Sequence, residues 1–147
     1  MAREFLRLGS RDRRILCVAY GAVLTAKVAA RVLPFRFLWR ALEGGAAKAG
    51  RVDPNSVERT QRIAWAISAA GAKAGASCVP QALAACFLLR TARLPYVARV
   101  GVMPGDGGAP RAHIWVESLG KVVAGGNVDL PAYAPLLRTR ENPPAAG

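Results

Sequence analysis

Apolar positions recur at helical spacing through the first half of the chain and alternate with a period of two over much of the second. Ser10 stands where it can cap a helix that starts near Arg11 and runs to about Leu33, before Pro34. Phe35, Phe37, Leu38, Trp39 and Leu42 predict a second, short helix, and the small residues from Gly44 to Gly50 a loop. Asp53-Pro54 is a start signal, with Asp at the N-cap and Pro at the first helical position. Val57, Ile63, Trp65, Ala66 and Ile67 carry that helix to about Ala70, and Gly71 to Gly75 reads as a break. Ser77-Cys78-Val79-Pro80 begins a third long helix, which ends between Arg90 and Arg93.

The pattern then changes. From Tyr96 to Met103, Val97, Arg99, Gly101 and Met103 alternate with Ala98, Val100 and Val102, a strand with a mostly apolar face. Pro104 to Gly108 is a loop by composition, Ala112 to Glu117 a second strand, and Ser118 to Lys121 a turn into a third, Val122 to Ala124. Helices followed by an antiparallel sheet predict an α+β fold. We expect a helical N-terminal portion over 1–75, a core over 76–137 with the cysteine helix packed on a small sheet, and a frayed tail over 138–147, all in one compact unit.

Composition narrows the function. Hydrophobic residues make up 52% of the 147, which excludes wholesale disorder. With 21 Lys+Arg against 9 Asp+Glu the net charge is +12, a surface that attracts nucleic acid, acidic lipid or acidic protein partners. The arginines are not interleaved with aromatics into a stacking platform, so nucleic acid is not expected as a partner. Cys17, Cys78 and Cys86 are odd in number and lack C-x-x-C spacing, and one histidine is too few to complete a zinc site with them. Free thiols in a reducing, cytoplasmic setting follow. The charged start of the first helix, Arg11 to Arg14, does not fit a cleavable secretory signal. The uncharged run Ile15 to Ala26 falls short of the roughly 20 residues needed to span a bilayer, and Lys27 and Arg31 interrupt it. We read it as a buried helix, contact with a membrane surface being the other reading.

One pair of residues carries candidate chemistry. Cys78 opens a helix, where unpaired N–H groups and the helix dipole favour negative charge on a thiol and on a developing oxyanion. A thiolate attacking a carbonyl still needs a base and a proton donor for the leaving amine. The single histidine, His113, shares a strand face with Trp115 and Glu117, so thiol and imidazole can meet if the Cys78 helix packs on that face. The bland readings are an inert buried thiol and a structural histidine. Cys86 and Cys17 read as core, Trp115 as a packed strand residue, and Gln81 as a hydrogen-bonded residue of the first helical turn. Glu117 is about 13 Å along the strand from His113, too far to touch the same ring.

Ser77-Cys78-Val79-Pro80-Gln81-Ala82-Leu83-Ala84, Leu94-Pro95 into Val100-Gly101-Val102, Ala112-His113-Ile114-Trp115-Val116-Glu117 with Gly120, and Gly125-Gly126 resemble the transglutaminase-like proteases of bacterial lasso peptide maturation, the free-standing B2 type. Arg13-Arg14-Ile15-Leu16, Leu33-Pro34-Phe35 and Arg62 to Ile67 are similar to that family's helical N-terminal portion. The resemblance implies a cysteine endopeptidase that removes the leader from a ribosomally made precursor, without metal or bound cofactor. It also implies a separate leader-recognition protein (B1 type) that delivers the precursor, and an ATP-using cyclase that closes the ring. The implied triad is Cys78, His113 and a carboxylate whose usual place falls near Gly125. Asp129, the next carboxylate along, takes that role in this reading, with Asn127 as the alternative.

Overall fold

The computed structural model describes residues 9–43 and 52–138; the loop expected over 44–50 and residues 139–147 of the expected tail lie outside them. Gly9, not Ser10, stands at the N-cap of helix α1 (Ser10–Val32), so Ser10 is a first-turn residue. The helix stops ahead of Pro34, and α2 (Phe35–Glu43) follows at once. Helix α3 (Pro54–Ala74) opens on the expected signal: Asp53 and Ser56 form a reciprocal capping box, with the Asp53 N–H donating to Ser56 Oγ at 3.0 Å. The break expected from Gly71 is corrected. The helix runs through it and ends at Gly75, whose φ of +55° supplies the left-handed C-terminal turn. Gly71 is small for another reason: a Cβ there would sit 2.6 Å from the Gln81 side chain, so it admits the start of α4 (Cys78–Thr91).

Helices α3 and α4 form the middle of the molecule. On one side they carry α1, and on the other α4 meets β2 (Pro110–Ser118) and both helices meet β3 (Lys121–Ala124). The core runs through these layers, with Ala19 and Val23 from α1, Ile63 and Ile67 from α3, Ala85 and Leu89 from α4, and Ile114 and Val116 from β2. Its many alanines let the helices approach closely. The sheet is antiparallel, ordered β3-β2-β1-β4, with β1 at Val97–Pro104 and β4 at Ala134–Arg138. The fold is α+β, as expected. Leu119 and Gly120, both at positive φ (49° and 74°), make the two-residue turn between β2 and β3, the type I′ geometry that suits the twist of a hairpin.

Two expectations fail here for the same reason, a misjudged exposure. Strand β4 was not foreseen; all five of its residues are exposed and one is Pro135, so it carries no alternation to read. Helix α1 buries only Ala19, Val23 and Ala26, leaving Val18, Leu24, Val28 and Val32 in the open. Cys17 is exposed too, and not core, because it stands about 200° around the helix from Ala19.

Leu89 is fully buried at the meeting of the layers. Leu89→Ala is expected to cost about 2–5 kcal/mol, seen as a lower urea midpoint with little change in slope.

Candidate active site

Cys78 is the first residue of α4 and half-buried at the edge of the core, after Ser77 at the N-cap. Ser77 is of a type that commonly caps a helix, but its side chain makes no capping bond here, which leaves the first-turn amides uncapped by it. Gln81 Nε2 donates to Ala76 O at 2.7 Å, tying the helix start to the segment before it, as the bland reading of Gln81 had it.

His113 is 8% exposed and sits in β2 opposite Gly101 of β1. Its ring stacks on Trp115 at 6.4 Å and lies 5.4 Å from the ring of Tyr133. Nε2 is 2.7 Å from the carbonyl oxygen of Gly125. A carbonyl only accepts, so Nε2 carries the proton, and in the neutral ring Nδ1 is left as the acceptor. Gly125 is the position at which the implied family carboxylate would fall; here the backbone makes the contact. Its φ is +78°, and a Cβ would stand 2.5 Å from Ile114 O, so a side chain is excluded on two counts. Tyr133 can pass close to β1 because Gly101 has no Cβ; one would lie 2.8 Å from Tyr133 Cβ.

The structure does not join the expected triad. Ile114 and Val116 belong to the core shared with α4, whereas His113 stacks on Trp115, which lies outside that core. The condition under which thiol and imidazole meet, α4 packed on the face of His113, Trp115 and Glu117, is therefore not met: α4 packs on the alternate face. Among the described residues no hydrogen bond joins Cys78 to His113. Asp129 is exposed, and its backbone carbonyl accepts from Ala132 N at 3.1 Å in the short turn Leu130–Ala132; it makes no bond to His113. A turn aspartate ahead of Leu130-Pro131 is what its sequence setting also allowed.

Glu117 acts at one remove from the imidazole. Its two oxygens accept from Trp115 Nε1 at 2.8 Å and Arg99 Nε at 3.0 Å, which fixes the indole that stacks on His113. Trp115 is buried, a packed strand residue. The Gly125 carbonyl and Tyr133 escaped sequence reasoning. A backbone acceptor leaves no residue-type signal, and Tyr133 comes near only through the unforeseen β4 segment.

A groove of about 720 Å³ runs between α3 and the end of β3. Trp65, Ser68 and Gly71 form one wall and Val122 to Asn127 the other, with Ala76 and Gln81 at the end nearest Cys78. Gly125, the tether of His113, is in that second wall. The groove thus borders both candidate residues through their neighbours. No group of three or more His, Cys, Asp or Glu suited to a metal occurs among the described residues.

The sequence profile described as the transglutaminase-like superfamily matches residues 22–138. The chain matches no curated protein and no solved structure.

Burial pushes the Cys86 thiol up from 9.0 to about 12, against a smaller opposing effect of Arg90. Cys86 therefore keeps its proton through the pH range in which an ordinary thiol ionises, and thiolate is the reactive form. Iodoacetamide at pH 8 is expected to modify Cys17 and Cys78 but spare Cys86 until the protein is unfolded, as read by peptide mass spectrometry. Gly125→Ala should destabilise the fold by about 1–3 kcal/mol through its positive φ alone, and more through the clash with β2, measured by urea denaturation.

Proposed function

The chain belongs to the transglutaminase-like superfamily, a class of cysteine proteases and acyl transferases, and from that premise we propose that it is a cysteine endopeptidase that cuts the leader from a lasso peptide precursor. The observation that carries this reading is the Nε2–Gly125 hydrogen bond, which holds the imidazole with Nδ1 free for proton transfer. The uncapped start of α4 supplies the second half, a thiol beside backbone amides.

In the proposed reaction the Cys78 thiol gives its proton to His113 Nδ1 as Sγ adds to the scissile carbonyl, and the resulting oxyanion is met by first-turn amides of α4. Collapse breaks the C–N bond, and the proton on Nδ1 goes to the departing amine. The thioester left on Cys78 is hydrolysed by water that His113 deprotonates; the new carboxylate leaves and the thiol is restored. The extended precursor would lie in the groove between α3 and β3. Proton transfer requires Nδ1 and Sγ within about 3–4 Å. Helix α4 packs on the Ile114 and Val116 face of β2 and the ring stacks on the other. Catalysis therefore requires a closure that rearranges the α4 start and the β2–β3 edge around the groove when the precursor binds. The leader-recognition protein and the cyclase complete the proposed cytoplasmic pathway as partners, and Asp129 or Asn127 joins the ring only if that closure also moves the 126–129 segment.

A specific observation favours a second reading. Because thiol and imidazole are not hydrogen-bonded, the fold could hold the precursor without cutting it. Replacing the nucleophile and the base separates the two. In a reconstituted mixture of precursor, recognition protein and this chain, Cys78→Ala should abolish the leader fragment seen by mass spectrometry. His113→Ala should lower its rate by roughly 10²–10⁴-fold. Undiminished processing by Cys78→Ala would leave only the scaffold reading, and a transferred acyl group in place of a free carboxylate would mark a transferase.

A further inference from the structure

From Arg13 to Leu42 the chain contains no Asp or Glu but six cations: Arg13, Arg14, Lys27, Arg31, Arg36 and Arg40. This acid-free stretch forms α1 and α2, which lie on the side of α3 and α4 away from the sheet. Along α1, Val18, Gly21, Thr25, Val28 and Val32 recur at alternating steps of three and four, which sets them on one helical face. That face looks outward: Val28 is 63% and Val32 72% exposed, and Leu33, Phe35 and Phe37 of the α1–α2 corner are exposed beside them. Only 17% of the most apolar window of α1 is buried. An apolar groove of about 450 Å³ continues the patch between α1, α2 and α4, with Phe87 and Arg90 on its far side.

We infer that this face docks on an anionic lipid bilayer. The apolar residues would enter the acyl boundary while Arg31, Arg36 and Arg40 meet the headgroups. Those three arginines are exposed and form no ion pair with another described residue, so their charge is available to an anionic surface. Phe35 and Phe37 at the corner are bulky apolar side chains of the kind that interfacial helices bury below the headgroups. A second copy is a poor fit to the face, because pairing like faces would oppose arginine to arginine with no acid between them.

Helix α1, at 23 residues, is long and apolar enough to cross a bilayer by length and composition. Its inner contacts argue for lying on the surface instead. Ala19 and Val23 are fully buried in the core, Lys27 Nζ donates to Ala74 O at 2.6 Å, and Asp12 pairs with Arg62 at 3.4 Å. Crossing would break all of these; docking by the outer face keeps them and leaves the groove beside Cys78 on the other side of the molecule.

The test is co-sedimentation of the whole chain with phosphatidylcholine vesicles, with and without phosphatidylglycerol. The expected result is strong sedimentation with the anionic vesicles and weak sedimentation with the neutral ones. Val28→Asp with Val32→Asp, and separately Arg31→Glu with Arg36→Glu, should each weaken the anionic binding roughly tenfold or more. All four positions are exposed, and unchanged far-ultraviolet circular dichroism would show that the variants fold. Cys78→Ala should bind as the parent does, so this result is independent of the peptidase reading. Absence of binding to anionic vesicles, equal binding to both kinds, or folded variants that bind undiminished would overturn the inference. So would a dimer in solution that the Val28→Asp, Val32→Asp variant dissolves.

Discussion

Helix α4 is apolar on almost every side, and that constraint orders the rest of the molecule. Ala82, Ala84, Ala85, Cys86, Leu88 and Leu89 are all buried, so α4 needs partners on more than one flank. It finds α1 and α3 on one and β2 and β3 on the other. Alanine rather than leucine at half of those positions keeps the layers close, which is why Gly71 must give way to Gln81. A helix enclosed in this manner still has one end that must reach the surface for its N–H groups to be satisfied. That end holds Cys78 beside the groove, so the position of the candidate nucleophile follows from how the helix is buried.

The imidazole is placed by different means. Backbone and ring contacts position it: a carbonyl on Nε2, a stacked indole and a tilted phenol ring nearby. Three residues support the contacts from behind. Gly125 brings its carbonyl close, Gly101 makes room for Tyr133, and Glu117 holds the indole with help from Arg99. This arrangement is stiff about the ring but lies across the strand from α4. The two halves of the proposed site are each well defined, and α4 and the ring stand on opposite faces of β2.

Periodicity made most elements legible. The Asp53-Pro54 helix start, the helix opening at Cys78, the β1–β2–β3 meander and the burial of Cys86 could be read because each leaves a residue-type pattern. What could not be read depended on the third dimension. Gly71 looks like a helix breaker until α4 is seen pressing on it. The face on which α4 packs was a choice between two alternations, His113 with Trp115 or Ile114 with Val116, and apolar burial decided for the second. Sequence order pointed to Asp129 as the carboxylate for the ring, but four residues of turn carry it out to solvent.

The carbonyl of Gly125 has a consequence for the energetics of the proposed reaction. A peptide dipole can aim a ring but brings no net charge, whereas an aspartate in that place would do both. The positive charge that the ring takes up when it accepts a proton then has only the sulfur anion, or the oxyanion that replaces it once sulfur has added to the carbonyl, to balance it. Ion-pair formation and substrate engagement would become a single event, so that the resting thiol stays quiet and the nucleophile exists only while a precursor is bound.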